Sequence, residues 1–213
     1  MISRFDPALL PPAPDLSCEL SFWQAGVCAV AVIDEAGRGA LAGPVAAAAL
    51  ILPANPTIAG QLTGVRDSKQ LSPVALANWA ARLRSLALSW GLCLASNAEI
   101  DQLGILPATR LAVRRALAVL AETPDHLLFD FIALPESCLP QTSLVKGDAR
   151  SLSIAAASIL AKTGRDALMV ELDRRYPGYG FAIHKGYGTR QHLAALTNLG
   201  PSAIHRLSFA PFS

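Results

Sequence analysis

The sequence has little charge, few aromatic side chains and only four cysteines. Asp, Glu, Lys and Arg together make up 16% of its 213 residues, whereas 52% of the residues are hydrophobic. A disordered chain has the opposite balance, so the composition excludes disorder and predicts one compact domain with a sizeable core. The cysteines show no Cys-x-x-Cys spacing, which predicts neither a zinc site nor a disulfide framework.

Long hydrophobic runs and a strong net charge are also missing. The longest apolar runs, residues 25–33 and 40–54, fall short of the roughly 18 uninterrupted apolar residues of a membrane-spanning helix. The N-terminus lacks the apolar segment of a secretory signal, so we expect a cytoplasmic protein with no membrane partner. The net charge of +2 says little about partners, and an anion site would depend on local clustering of basic residues.

The order of the predicted elements indicates an α/β fold, with a mixed sheet flanked by helices. Two apolar strands on either side of a Gly-rich turn, over residues 26–33 and 44–52, predict a hairpin. Further strands are predicted at 87–95, 126–129 and 143–146, and helices at 72–85, 107–122 and 152–175, with a last helix that ends near Gly200. Residues 1–17, which contain four prolines, predict a flexible lead-in to a single domain over residues 18–213.

Acidic residues follow three of the predicted strands: Asp34 with Glu35, Asp130, and Asp148. A single Asp in such a place is more often a turn or cap residue. Several acids gathered at one sheet edge, however, would repel one another unless they took up protons or bound cations. Mg²⁺ prefers hard oxygen ligands, and two ions about 3.5–4 Å apart can bracket an in-line displacement at phosphorus. The pattern therefore favours a two-metal site for phosphoryl chemistry.

Gly37, Arg38 and Gly39 follow the acidic pair directly. Glycines at a strand end often only form a turn, but they also let the backbone approach a ligand closely. Their position beside the acids favours the second interpretation, an element that binds an anionic ligand.

The segment DEAGRGALAGPV (34–45) resembles the first signature of the type 2 ribonucleases H, in particular bacterial ribonuclease HII. The resemblance continues in order through RDSKQLS (66–72), EIDQLGILPAT (99–109), LVKGDARSLSIAAASILAKTGRD (144–166), YPGYGFAIHKGYGT (176–189) and HRLSF (205–209). It covers nearly the whole chain after the N-terminal residues. It implies a ribonuclease H-like fold with C-terminal helices.

The resemblance further implies a metal-dependent endoribonuclease. In the family, the acids corresponding to Asp34, Glu35, Asp130 and Asp148 hold two Mg²⁺ or Mn²⁺ ions, which activate a water and stabilise the leaving 3′ oxygen. The implied substrates are the RNA strand of RNA–DNA hybrids and duplex DNA with a single embedded ribonucleotide. The implied cut lies 5′ of that ribonucleotide and leaves a 3′-hydroxyl and a 5′-phosphate. We expect a monomer.

The resemblance also assigns residues that contact nucleic acid. The Gly37-Arg38-Gly39 backbone would bind the ribose 2′-hydroxyl, and Tyr187 would stack on the following deoxyribose; the alternative for Tyr187 is a ring packed in a turn between two glycines. Candidates for binding phosphates or their neighbourhood are Ser68, Lys69, Lys146, Ser158 and Lys162. Because Ser158 and Lys162 are four residues apart and Asp166 follows one turn later, this stripe suits either a nucleic-acid contact or an ordinary solvated face.

Two positions depart from the family pattern, and two other functions stay open. Ala40 stands where Pro is usual, and Phe131 stands where Gly usually follows the third acid, so its bulk is expected to restrict the turn or crowd the metal region. Asp166 competes with Asp148 for the fourth acidic role, but the Lys-Gly-Asp placement favours Asp148.

The other functions are a protein that binds hybrids without cutting them and a different nuclease on a related fold, such as a junction resolvase. The pairing of Gly-Arg-Gly with Tyr187 argues against the resolvase.

Overall fold

The computed structural model describes residues 10–212, and its centre is a five-stranded mixed sheet in the order β3-β2-β1-β4-β5. The strands are β1 (Val30–Ala36), β2 (Val45–Ile51), β3 (Ser89–Ala95), β4 (His126–Asp130) and β5 (Gln141–Leu144). β1 pairs antiparallel with β2, which pairs antiparallel with β3, whereas β1, β4 and β5 run parallel. The carboxyl ends of β1 and β4 therefore meet at the same edge of the sheet.

Helices cover both faces of this sheet. They are α1 (Ser17–Gln24), α2 (Ile58–Gln61), α3 (Pro73–Leu86), α4 (Asn97–Leu103), α5 (Ile105–Ala118), α6 (Leu152–Arg175), α7 (Phe181–His184) and α8 (Arg190–Leu199). Val30 and Val32 of β1 pack toward α6 and α3, and Ala31 and Ile33 pack toward α5. Because both faces of β1 are buried over residues 30–33, these four residues are all apolar rather than alternating with polar ones, and Asp34 and Glu35 follow them in the strand.

The 24-residue helix α6 packs against the sheet. Ser151 caps its N-terminus, because its Oγ accepts a hydrogen bond from the Ile154 N–H at 3.0 Å. The buried carboxylate of Glu19 accepts a second N–H of the first turn, from Ser153, at 3.2 Å. A run of alanines, Ala155–Ala157, is fully buried and lets the helix lie close to the strands. These contacts hold the start of α6 beside the sheet edge.

The predicted hairpin, the mixed α/β sheet and the helix over 152–175 are confirmed. The fifth strand is shifted: it spans Gln141–Leu144 rather than 143–146, because the chain turns at Lys146 with a φ of +54°. Helix α5 begins at Ile105 rather than at Pro107. Proline is tolerated there because N–H groups in the first helical turn have no partner within the helix.

The proposed lead-in, residues 1–17, is only partly described, since residues 1–9 lie outside the described residues. Its end is attached to the domain. Leu16 is buried, and Asp15 bridges to the start of α6, with the Leu152 N–H donating to the Asp15 carbonyl at 2.8 Å. Over residues 10–212, none of the helices combines the length and apolar character that crossing a membrane requires.

Candidate active site

Four predicted acids lie at the carboxyl edge of the sheet. Asp34 and Glu35 lie near the end of β1, Asp130 ends the parallel neighbour β4, and Asp148 lies in a short 3-10 turn just before α6. The backbone N–H of Gly147 donates to Asp130 Oδ1 at 2.8 Å, which joins this turn to β4. The parallel pairing of β1 with β4 is thus what places the four acids together.

Burial and mutual repulsion disfavour the charged forms of these acids. Burial raises the pKa of Asp34 well above its usual value, and the nearby Glu35, Asp130 and Asp148 raise it further. Burial also raises the pKa of Glu35, although Arg38 opposes the shift, and it raises the pKa of Asp130. A bound cation would remove this repulsion. The donor set, four carboxylates, therefore fits a hard divalent metal.

Two basic side chains lie against the acids. Lys69 Nζ lies 3.1 Å from Asp148 Oδ2 and 3.5 Å from Asp67 Oδ1. Burial alone would lower the pKa of Lys69, but Asp148 and Asp67 raise it above its usual value. On the other side of the site, Arg38 Nη1 lies 3.2 Å from Glu35 Oε1. These side chains partly neutralise the acids.

Within residues 10–212, no three acidic, histidine or cysteine side chains already converge on one ion position. The contacts above give the reason. Oxygens of Glu35, Asp130 and Asp148 each accept a hydrogen bond from a protein donor. Each of these carboxylates keeps a second oxygen that could turn toward an ion. The assignment of the four acids as ligands stays a prediction.

A cavity of about 270 Å³ opens beside the acids. Its lining includes Asp34, Glu35, Gly37, Arg38, Gly39, Ser68, Lys69, Asp130, Ser158, Lys162, Arg165, Asp166 and Tyr187. The structure thus brings together nearly all the residues predicted to contact nucleic acid. Lys146 is the exception among them, because it is exposed in the turn before Gly147 and lies outside the cavity lining.

The backbone of Gly37 adopts a conformation that glycine alone adopts without strain. Its φ is +90°, and a Cβ on this residue would lie 1.9 Å from the Nε of Arg165. The Ala40 N–H donates to the Gly37 carbonyl at 3.3 Å and closes a tight turn through Arg38 and Gly39. This turn forms one wall of the cavity.

The face of α6 that carries Ser158 and Lys162 lines the cavity. Ser158 Oγ and Ser68 Oγ are hydrogen-bonded at 2.7 Å, and both residues are buried. Lys162 Nζ pairs with Asp166 Oδ2 at 2.9 Å, one turn along the helix. The stripe forms an ordinary i,i+4 ion pair and also lines the cavity, and its contact with nucleic acid stays a prediction.

Tyr187 lines the cavity with its side chain partly open to solvent. It is 40% exposed, and the guanidinium carbon of Arg165 lies 5.5 Å from its ring centroid. His192 Nδ1 lies 3.0 Å from the Tyr187 carbonyl oxygen. The ring is therefore available to a ligand rather than packed away in the turn.

Phe131 is strained and exposed. Its φ is +63°, in the left-handed region that favours glycine, and 68% of the residue is exposed. Its N–H donates to the Leu144 carbonyl at 2.9 Å, which holds the backbone in this conformation. The phenyl ring lies outside the cavity lining, so the departure from glycine strains the turn and leaves the cavity open.

Two buried arginines have structural roles that the sequence did not indicate. The sequence gives Arg206 equal claims as a nucleic-acid contact and as surface or core filling, and it predicts no role for Arg165. Both side chains are almost fully buried, next to Gly37. A signal for Arg165 was available, because it lies seven residues after Ser158 and so on the same face of α6.

A family model described as Ribonuclease HII matches residues 31–212. A ribonuclease HII from Synechococcus sp. (strain JA-3-3Ab) is 56% identical over 198 residues, covering 93% of this chain and 89% of the relative. The chain belongs to the ribonuclease HII family. It is therefore a ribonuclease H, a divalent-metal-dependent endoribonuclease that acts on RNA–DNA hybrids, which sets aside a binding protein that does not cut.

Solved structures share the ribonuclease HII fold with this chain. The ribonuclease H2 from Pyrococcus horikoshii OT3 aligns with a TM-score of 0.72 at 23% identity, over 86% of this chain and 94% of that chain. A structure described as Bst-RNase HIII in complex with Mn²⁺ aligns with a TM-score of 0.64 at 19% identity, over 91% of this chain and 70% of that chain. At these identities the likeness concerns the fold alone, and it confirms the predicted ribonuclease H-like α/β architecture.

Proposed function

We propose that this ribonuclease HII cuts on the 5′ side of single ribonucleotides embedded in duplex DNA, in addition to hydrolysing the RNA strand of hybrids. The products would carry a 3′-hydroxyl and a 5′-phosphate. The observation that carries the proposal is one cavity whose lining includes Asp34, Glu35 and Asp130, the Gly-Arg-Gly turn and Tyr187. Acids suit phosphodiester chemistry, and a backbone wall suits recognition of one hydroxyl group.

In this proposal, Asp34, Glu35, Asp130 and Asp148 hold two Mg²⁺ or Mn²⁺ ions. Bound there, the ions would activate the attacking water and stabilise the leaving 3′ oxygen. The raised pKa values of Asp34, Glu35 and Asp130 support this role, since these acids gain most from a nearby cation. The Bst-RNase HIII described as a complex with Mn²⁺ has the same fold.

The 2′-hydroxyl is the only chemical difference between ribose and deoxyribose at the cut, and it both donates and accepts hydrogen bonds. Backbone groups of Gly37, Arg38 and Gly39 would bind it, because no Cβ at either glycine blocks the approach of the sugar. Tyr187 would stack on the deoxyribose that follows. A site that pairs with a hydroxyl discriminates strongly against a sugar that lacks it.

Phosphates on either side of the cut would contact basic and hydroxyl side chains of the cavity wall. Lys69 and Lys162 line the cavity, as do the hydrogen-bonded hydroxyls of Ser68 and Ser158. Lys146, which is exposed near Asp148, would contact the strand farther from the cut. We also propose that the enzyme acts as a cytoplasmic monomer, since the described residues of one chain are enough to line the cavity.

The test is cleavage of a labelled duplex that contains one ribonucleotide, in Mg²⁺ and in Mn²⁺. We expect one cut 5′ of the ribonucleotide and a product that a DNA polymerase extends from its 3′-hydroxyl. Asp34→Asn should lose at least about a hundredfold in kcat, whereas Glu171→Gln, which removes an exposed carboxylate from α6, should keep full activity. Equal cutting by Asp34→Asn would reject its assigned role, and hydrolysis of hybrids alone would reject the single-ribonucleotide activity.

A further inference from the structure

Arg206 is a buried cation whose hydrogen bonds all go to backbone carbonyls. Its Nε donates to the Gly43 carbonyl at 2.9 Å, its Nη1 to the Arg38 carbonyl at 2.8 Å and its Nη2 to the Gly37 carbonyl at 2.7 Å. None of the ion pairs among residues 10–212 includes it, and it is fully buried. Burying a charge without an anionic partner is unfavourable unless the hydrogen bonds around it are complete. This arrangement calls for a role beyond filling the core.

The bonds from Arg206 determine which way two peptide groups face. In a trans peptide, the C=O and the N–H of the same unit point in opposite directions. Because the carbonyls of Gly37 and Arg38 point at Arg206, the N–H groups of Arg38 and Gly39 point the other way. Gly37, Arg38 and Gly39 line the cavity, and neither N–H donates a hydrogen bond to another described residue. Two adjacent N–H donors of the cavity lining therefore point away from Arg206 and have no acceptor among the described residues.

The backbone of Arg206 is itself held from two sides. Its N–H donates to the Leu41 carbonyl at 2.9 Å. Just beyond it, Asp101 accepts the N–H groups of Leu207 at 3.0 Å and Ser208 at 2.9 Å. These bonds fix the backbone from which the Arg206 guanidinium extends. A lysine could not replace it, because a single ammonium group cannot reach three carbonyls spread along a planar fork.

We propose that Arg206 is a positioning residue that sets the discrimination between ribose and deoxyribose. It holds the Gly37–Arg38 and Arg38–Gly39 peptide groups so that their N–H groups donate to the 2′-oxygen of the substrate. This inference rests on the proposed binding of the 2′-hydroxyl by the same turn. It adds that the turn does not select its peptide orientation alone, but receives it from a side chain more than 160 residues away in sequence.

The test measures the binding of two duplexes in EDTA, where no cleavage occurs. One duplex contains a single ribonucleotide, and the other is all DNA with the same sequence. The readout is the Kd for the all-DNA duplex divided by the Kd for the duplex with one ribonucleotide. A loss of folded protein raises both Kd values by the same factor and leaves this ratio unchanged. We expect Arg206→Lys to lower this ratio about tenfold, the effect of losing one to two well-aligned hydrogen bonds. Arg110→Lys is the matched control, since Arg110 donates to the Ala133 carbonyl outside the cavity, and its ratio should equal that of the wild type.

A 2′-fluoro substrate adds a test of donor direction. Carbon-bound fluorine accepts hydrogen bonds weakly and does not donate them, so the wild type should bind this duplex between the all-DNA duplex and the ribonucleotide duplex in affinity. Arg206→Lys should bind it no more tightly than the all-DNA duplex. If Arg206→Lys fails to fold by circular dichroism, Asp101→Ala, which releases residues 207 and 208, takes its place with a fall of about threefold.

The outcomes separate the inference from the proposed function. A wild-type ratio of one would overturn the 2′-hydroxyl site and this inference together. A wild-type ratio well above one that Arg206→Lys leaves unchanged would overturn the inference alone. The same holds for an unchanged ratio in Asp101→Ala if that variant has to decide the matter.

Discussion

The ammonium nitrogen of Lys69 lies 3.1 Å from the carboxylate of Asp148, the acid that enters the site from the turn before α6. A divalent ion bound to Asp148 would compete with this ammonium group for the same carboxylate. Lys69 is largely exposed, so solvent weakens the pair and leaves it easy to open.

Replacement of Lys69 should strengthen metal binding to the free enzyme while weakening catalysis. We expect Lys69→Gln to lower the Kd for Mn²⁺ by about twofold to fivefold, the range that an exposed ion pair allows. Calorimetric titration without nucleic acid measures this. Arg66→Gln, which removes an exposed cation three residues away, should leave the Kd unchanged. Weaker metal binding in Lys69→Gln would mean that Lys69 does not compete with the ion.

The two glycines of the turn should respond differently to substitution by alanine. A Cβ on Gly37 would overlap Arg165 and would hold a φ of +90°, so Gly37→Ala should lose at least about 2 kcal/mol of stability and most of its activity. A Cβ on Gly39 meets nothing within 4 Å, and this residue lines the cavity. Gly39→Ala should therefore keep the wild-type Tm and still lose substrate affinity. Thermal unfolding and hybrid binding, measured on both variants, check the pair; full affinity in Gly39→Ala would contradict close backbone approach.

The Phe131→Gly variant should be more stable than the Phe131→Ala variant. Both variants remove the exposed ring, but only glycine adopts the φ of +63° without strain. After the entropic disadvantage of glycine in the unfolded chain, we expect Phe131→Gly to exceed Phe131→Ala in the free energy of unfolding by about 0.5–1 kcal/mol. Denaturant titration gives the difference. Greater stability for alanine would show that the turn relaxes when the ring is removed.

The buried histidines beneath Tyr187 should make the fold sensitive to acid. His192 Nε2 lies 3.0 Å from His205 Nε2, and burial and His192 lower the pKa of His205 to about 4. The unfolded chain takes up a proton near the ordinary pKa of 6.5, whereas the folded chain does not until pH is about 4. The neutral His205 therefore leaves the free energy of unfolding at its full value above pH 6.5, and this free energy should fall as the pH drops from 6.5 toward 4.

The loss of unfolding free energy between pH 7 and pH 5 is the quantity to measure for this cluster. His205→Gln should be less stable than the wild type at pH 7, yet it should lose less stability over the same interval. The comparison cancels the contribution of the active-site acids, which both proteins retain. An equal loss in the two proteins would place the acid sensitivity elsewhere.

Local sequence pattern was enough for the elements whose ends carry a chemical signal. Helix α6 runs from 152 to 175, as predicted, because Ser151 caps it and Pro177 follows it. Prediction was less accurate where the signal was ambiguous. Pro107 resembles a first helical residue but is the third, and Val145 resembles a strand residue but lies beyond the end of β5. Short α7 has no sequence signal, because four residues are too few for a periodic pattern.

The sequence by itself determined the family and the α/β class, and it predicted the acids and the Gly-Arg-Gly turn as the site, because these depend on residue types at fixed local spacing. Only the tertiary structure decided how the site is supported. Lys69 against Asp148, Ser68 against Ser158, and Arg206 beneath Gly37 join residues between 79 and 169 positions apart. No local periodicity encodes such contacts, since they arise when parallel strands and packed helices bring distant segments to one edge of the sheet.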